Sequence, residues 1–480
     1  MRTEVETAVA QSANDEHGHL HRRLNLLNAI SINMSNMVGT GPFITVPAIL
    51  ATMGGPQSLI AWGVGALLAI GDGLVFAELG ASIPASGGSY TFLRETLGRK
   101  SWGHMMAWIF VWQFMFSGTL EIATSSIGMA EYAGYLWPDL LRHPWEMKFL
   151  AAGITAAAIA ALYRKIQDIA HLMLALWVGM LLTAGWVIVT GAMHAHPKMI
   201  VDFPAGAWNV GLPFMLGLGN GTMLVMFNFL GYYQICYLGG EVRRPQRTIP
   251  YGVIISILLV MLIDFLISLC FVGVVPWREM IQPGSQAYNA VGSVYMERLS
   301  GHWASALMTF MVELTAFAAT YAMILGYSRI PYAAALDGAF FRWFGELHPT
   351  KDFPHRSLLL VGFLVIVSCF FDLVQIITAL MLARIFSMFI GQIIGLLIYR
   401  KKQPNAPRPF RMWFYPLPAL FALVGWLGVF VTPGLQPGGW KYMAYAFGTI
   451  GVGFTAYLFL AWRKAEWPFV LPAGRSDLIG

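Results

Sequence analysis

Met37-Val38-Gly39-Thr40-Gly41-Pro42-Phe43 interrupts an apolar stretch close to the start of the chain. Hydrocarbon offers no hydrogen-bond partners, so a helix that crosses a bilayer has to close its backbone hydrogen bonds internally. Gly39 and Gly41 flank a threonine, and Pro42 has no N–H, so the ladder is weakened over about one turn. Such an interruption is tolerated where it lines a cavity, and the freed N–H and C=O groups can then hold a solute. The stretch predicts a transporter-like site in which unwound helix grips the cargo.

The rest of the chain places that break in a membrane. Of 480 residues, 57% are hydrophobic and 11% charged, and mean hydropathy is +0.62. Soluble domains carry about 25% charged residues, and about 20 apolar residues span a bilayer as helix. The apolar runs predict twelve transmembrane helices at approximately 25–53, 57–83, 103–135, 148–163, 168–192, 212–240, 250–275, 303–331, 357–371, 374–399, 414–432 and 440–462. The fold class expected is an all-α membrane protein. Lys and Arg concentrate in the loops on the N-terminal side, among them Arg22, Arg94, Arg164, Arg243, Arg400 and Arg463, which places both termini in the cytoplasm. The plasma (cell) membrane is the expected location.

Other classes find little support. The net charge of +6 is spread over loops, so no nucleic-acid partner is expected. Cys236, Cys270 and Cys369 fall in or beside apolar segments without metal or disulfide spacing. His17, His19 and His21 read as part of a polar tail, with no Cys or carboxylate pattern to complete a metal site. Residues 1–24 contain no apolar core of a signal peptide. No nucleophile–base pair, phosphate loop or metal-spaced histidine cluster points to an enzyme, and no metal or cofactor is expected.

A second interruption lies five spans after the first, at Asn228-Phe229-Leu230-Gly231 within 212–240. Paired breaks in corresponding positions of two halves point to an inverted repeat with a shared midplane site. Helices 1–5 (25–193) would form one repeat and helices 6–10 (212–400) the other. Two further helices (412–463) lie outside it, between cytoplasmic tails at 1–24 and 464–480. The alternative for Gly39 and Gly231 is close helix packing alone.

Several stretches resemble the amino acid–polyamine–organocation permease superfamily. Gly39-Thr40-Gly41-Pro42-Phe43 is similar to its first-helix G-S-G-I-F motif, with Pro42 in place of Ile. Ala77-Glu78-Leu79-Gly80-Ala81-Ser82-Ile83-Pro84 and Ser86-Gly87-Gly88-Ser89-Tyr90 resemble the end of its second helix. Gly240-Glu241 through Arg247-Thr248-Ile249-Pro250 matches its E-x-x-x-P-x-R-x-[IL]-P loop. Ser328-Arg329, Ala335-Leu336-Asp337-Gly338, His348-Pro349 and Pro407-Arg408-Pro409-Phe410 follow in the family's order. The resemblance implies a twelve-helix permease with a five-plus-five inverted repeat and broken helices one and six, working by alternating access. It leans toward the amino acid/polyamine branch, although that branch's aromatic–aspartate pair in helix six is replaced by Tyr232 and Tyr233.

On that resemblance the substrate is an amino acid or related amine, a polyamine or other cationic amine moved with a proton being the alternative. A ligand sensor with the same fold is a further one. N–H groups of Thr40, Gly41 and Phe43 would receive a carboxylate at the start of the second half-helix. Carbonyls of Met37, Phe227, Asn228 and Leu230 would receive an ammonium, beside Gly39 and Gly231. The Thr40 hydroxyl either adds a contact or bonds back to its own helix. Phe227 and Phe229, with Tyr232 and Tyr233, would wall the second break.

Glu121, Glu313 and Arg384 are the ionisable residues expected deepest in the bilayer, where charge is costly and faces water, a partner or a substrate. Glu313 and Arg384 either face the cavity or pair with each other. Glu121 sits in Ser117-Gly118-Thr119-Leu120-Glu121, which resembles an acid-bearing stretch of the polyamine branch, and either contacts a cationic substrate or carries a coupling proton. Asp264 reads as structural. Leu174 stands where many relatives have a lysine, so coupling through that position is not expected and exchange or facilitated uptake gains weight. His171 reads as a helix-end residue. Expected partners are thus a small-molecule substrate, membrane lipid and a coupling proton.

Overall fold

The computed structural model describes residues 22, 24–37, 39, 41–139, 143–163, 169–336, 338, 340–348, 353–464 and 466–469. Among these the chain is helical, and β-pairing is confined to the isolated bridges Leu24↔Val242 and Ser86↔Leu238. It is an all-α membrane protein. Among the described residues nine helices are long and apolar enough to cross a bilayer, ten when a bent pair is counted as one span. The other two of the twelve expected positions hold shorter apolar stretches, Val178–His194 and His355–Ser368, so length and composition do not establish twelve spans.

The first expected span is two helices, α1 (Leu26–Met37) and α2 (Gly41–Met53), bent by 51° where the Gly/Pro stretch was read. Then follow α3 (Ile60–Ser82), α4 (Ser89–Leu97), the 35-residue α5 (Trp102–Leu136), α6 (Pro144–Leu162) and α7 (Ile169–His194). The second half begins with α8 (Leu212–Phe229), an irregular Leu230–Tyr233 segment and the single turn α9 (Gln234–Tyr237). It continues through α10 (Pro245–Val274), α11 (Val291–Ser300), α12 (His302–Tyr327), α13 (Arg329–Leu336) and α14 (His355–Ser368).

The tenth span, expected to be uniform, has three parts. α15 (Leu373–Arg384) runs into a π-helical stretch, Ile385–Ile390, and then α16 (Gly391–Lys402). Wider π turns re-aim side chains and are frequent at functional sites. α17 (Leu417–Gly434) and α18 (Trp440–Lys464) complete the chain.

Burial sorts the helices by what they meet. α3 lies inside the bundle against α8, α10 and α17, and α5 against α4, α6, α12 and α15. α18 shows Phe447, Val452, Phe459 and Trp462 to the outside, an apolar surface that suits lipid. Proline opens α6, α8, α10 and α17, where its missing N–H has no partner to lose. At the N-terminal end of the bundle, Arg400 holds Glu78 of α3 through Nε at 2.7 Å and Nη2 at 2.5 Å, while the Met412 N–H donates to the same carboxylate at 2.8 Å.

Candidate functional site

The two breaks meet. Asn228, near the end of α8, donates from Nδ2 to Thr45 Oγ1 of α2 at 2.9 Å and to the Leu224 carbonyl at 3.1 Å. Thr45 in turn donates to the Gly41 carbonyl at 2.9 Å. Gly41 permits this approach, because a Cβ there would stand 2.2 Å from Asn228 Oδ1. Gly39, by contrast, has open space where a Cβ would lie, so close packing does not account for it. α2 starts at Gly41, and helix geometry leaves the N–H groups of Gly41 and Phe43 without intrahelical partners.

The second interruption falls slightly later than expected. α8 stays wound through Asn228 to Phe229, and the Leu230 N–H donates to the Phe227 carbonyl at 3.1 Å. The chain leaves the helix at Leu230 and turns at Gly231, whose φ is +114°. Asn33 of α1 accepts the Ile235 N–H at 2.9 Å and ties α9, directly after the irregular segment, to α1.

Side chains of the expected wall pack in several directions. Phe229 is fully buried edge-on against Trp62, with ring centres 6.0 Å apart. Phe43 sits edge-on to Phe271, and its carbonyl accepts from the Tyr132 hydroxyl at 3.0 Å. Tyr233 stacks on Phe76 at 5.1 Å. Met37 and Phe227 are buried beside the breaks. Thr40 and Val38 lie outside the described residues, as do the side chains of His171 and Leu174.

The deep charges form one cluster and leave one residue aside. Arg384 Nη2 pairs with Glu121 Oε2 at 2.5 Å, and its Nε donates to Ser117 Oγ at 3.0 Å. Tyr327 of α12 donates to the same Glu121 oxygen at 2.8 Å. The guanidinium also lies 4.9 Å from the Phe114 ring centre. Its Nη1 is buried without a hydrogen-bond partner among the described residues. The pairing of Glu313 with Arg384, the alternative read from sequence, does not form. Arg384 is taken by Glu121, and Glu313 is half-buried on α12 with Oε1 unpartnered. Glu121 consequently carries no uncompensated negative charge.

A cavity of about 760 Å³ opens at the end of the bundle opposite Leu26. Its inner part is lined by Ala48, Leu120, Leu224, Thr378 and Ala379, and its mouth by Gln375 and Lys441 among others. These residues neighbour the breaks without including them: Leu120 precedes Glu121, and Leu224 is one turn before Asn228. Among the described residues no group of three or more His, Cys, Asp or Glu is placed to hold a metal.

Residues 24–455 match the family model described as amino acid permease. The chain belongs to the amino acid permease family. An uncharacterized transporter of Mycobacterium tuberculosis is 30% identical over 349 residues, covering 72% of each chain. The human cystine/glutamate transporter is 26% identical over 477 residues, with 94% of this chain and 88% of the relative covered. The branched-chain amino acid permease of Bacillus subtilis is 24% identical over 445 residues, covering 85% and 90%. This permease is thus an integral membrane protein of a small-molecule transport family, which points away from an enzyme.

The family motifs are legible in the sequence, whereas nothing in it singles out Thr45, Tyr327 and Ser117 as partners. Thr45 lies one helical turn after Gly41, a spacing that puts its hydroxyl over the helix start.

Proposed function

We propose that this permease is a secondary transporter for amino acids, that it works by alternating access, and that the substrate is seated where the two interrupted helices meet. The observation that carries this reading is the Gly41–Thr45–Asn228 junction between the breaks, one turn below the floor of a deep cavity. N–H groups of Gly41 and Phe43, which have no partner within α2, suit a carboxylate, and carbonyls at the end of α1 and around Leu230 suit an ammonium. Residues 25–193 and 212–400 act as inverted repeats within a twelve-span bundle, with 412–463 outside them, and the cavity faces out of the cell from a plasma-membrane protein with cytoplasmic termini.

Charge favours a zwitterion over a polyamine. The Glu121–Arg384 pair sums to zero, and a cationic side chain would have to compete with Arg384 for the carboxylate. The relatives named for cystine, glutamate and branched-chain amino acids fit the same preference.

Uptake into proteoliposomes tests the reading. Labelled leucine, glutamate, lysine and agmatine are supplied with and without proton or sodium gradients, and counterflow is measured against unlabelled substrate. Saturable uptake or exchange of an amino acid supports it. Binding without flux would assign a sensor, and transport of agmatine alone would assign the polyamine alternative.

A further inference from the structure

Close to the middle of α3, Asp72 is completely buried, and the substrate site described above leaves it unused. Trp426 Nε1 of α17 donates to one carboxylate oxygen at 3.2 Å, and the Tyr232 hydroxyl donates to the other. The buried ion pairs nearby, Arg384–Glu121 and Arg400–Glu78, do not include it. Two neutral donors therefore hold a carboxylate inside the membrane, where an ionised group without a counter-charge is costly.

Among the described residues, no charged side chain pairs with Asp72. α8 and α17 carry no ionisable residue. From the irregular segment and α9 come Tyr232, Tyr233 on Phe76, and Cys236, whose Sγ lies 3.9 Å from the Phe76 carbonyl. α10 meets this part of α3 with Val253 and Ile257 at Gly73, and its one buried acid, Asp264, lies about two turns beyond Ile257. α16 contributes Arg400, which is committed to Glu78.

The donor set selects the ion that Asp72 can take. A metal cation needs oxygen lone pairs directed at it, and here both carboxylate oxygens already face N–H or O–H groups. A proton needs only one of them. Trp426 and the Tyr232 hydroxyl both donate here, and donated hydrogen bonds favour the charged carboxylate, so losing one of them favours protonation. Tyr232 belongs to the segment that follows Gly231 at φ +114°, between α8 and α9. A switch of access at the second break moves that segment relative to α3 and strips one donor from the carboxylate.

We propose that Asp72 is a proton-carrying site coupled to the second helix break, empty while Tyr232 and Trp426 are docked as here and loaded when Tyr232 moves away. The proposal rests on the transport reading, because it requires the break to move. The proton is taken from water on the side then open, forms an O–H bond on the carboxylate, and returns to water when Tyr232 docks again. No other bond changes.

The test uses the full-length protein in proteoliposomes, with labelled leucine under an imposed pH gradient and leucine counterflow as the gradient-free control. Wild type is expected to accumulate leucine under the gradient, and Asp72→Asn to retain counterflow while losing that accumulation. In Tyr232→Phe the midpoint of the pH profile is expected to move up by about one unit, since the charged form has lost a donor. Accumulation by Asp72→Asn equal to wild type, or an unmoved midpoint in Tyr232→Phe, overturns the proposal. Wild-type leucine accumulation indifferent to any pH gradient, with counterflow present, also overturns it while leaving the transport reading intact.

If no amino acid is exchanged at all, the transport reading fails instead, and infrared difference spectra across pH decide Asp72 separately. A protonated-carboxyl band removed by Asp72→Asn supports the site, and spectra unchanged by the substitution overturn it. Should Asp72→Asn not fold, Tyr232→Phe is read by the same two measurements, where a displaced midpoint or band supports the proposal and an undisplaced one overturns it.

Discussion

Gly41 and Gly39 look alike in the sequence and differ in what surrounds them. A Cβ on Gly41 would strike Asn228 Oδ1 at 2.2 Å, whereas one on Gly39 would meet nothing within 4 Å. Gly41→Ala is expected to lower stability by about 1–3 kcal/mol through overpacking and to abolish uptake, with Gly39→Ala much milder. Thermal unfolding in detergent together with leucine uptake checks both. The Glu121–Arg384 pair is a second residue-scale test. Glu121→Gln leaves a buried guanidinium without its counter-charge, which costs about 3–5 kcal/mol, while Glu121→Gln combined with Arg384→Gln should recover part of that loss. A double variant no more stable than the single one would show that the pair is not coupled. Sequence alone located both charges in the membrane and left the partner of Arg384 open between Glu313 and the cavity. Choosing a partner depends on how each helix is rotated about its axis, and helices that are apolar all round carry little periodic signal of that rotation. The π stretch directly after Arg384 adds a further turn offset that no composition announces.

At the scale of the elements, two interruptions set the architecture, and they were readable to different precision. The first is dictated by glycine and proline chemistry, and α1 and α2 separate within the Met37–Gly41 stretch that the residues indicate. The second was expected over Asn228–Gly231, but the winding persists through Phe229. Asn228 explains the shift. Its side chain donates to the Leu224 carbonyl one turn back and to Thr45 across the junction, which holds it in the helix, and the chain departs at Leu230, just before Gly231 turns it with a left-handed φ. Tertiary hydrogen bonding of this kind is invisible to a local reading. Two substitutions separate the roles. Asn228→Ala removes the tie between α8 and α2 and should cost about 1–3 kcal/mol. Gly231→Ala forces a side chain into positive φ and to within 2.8 Å of Asn36 Cβ, so it should impair turnover as well as stability. Counterflow rates normalised to folded protein distinguish them: a Gly231→Ala protein with wild-type melting and wild-type exchange would show that the turn is not under this constraint.

For the molecule as a whole, the proposed reading takes the cavity as the open side of the transporter. It lies at the end of the bundle away from Leu26, with Gln375 exposed at its mouth and Thr378 buried deeper on the same face of α15. On the cytoplasmic N-terminus proposed from the distribution of Lys and Arg, this vestibule would face out of the cell. Cys236, Cys270 and Cys369 are all buried, so a cysteine introduced into the vestibule should dominate labelling by a charged, membrane-impermeant thiol reagent. In intact cells Gln375→Cys should react readily from outside, and Thr378→Cys more slowly. Saturating substrate should protect Thr378→Cys more than Gln375→Cys, because an occupied site closes the narrow end of the vestibule before its mouth. Equal protection at both positions would place the substrate above the junction of the breaks. Reaction only in inverted vesicles would reverse the orientation, and the same cavity would then be the exit into the cytoplasm.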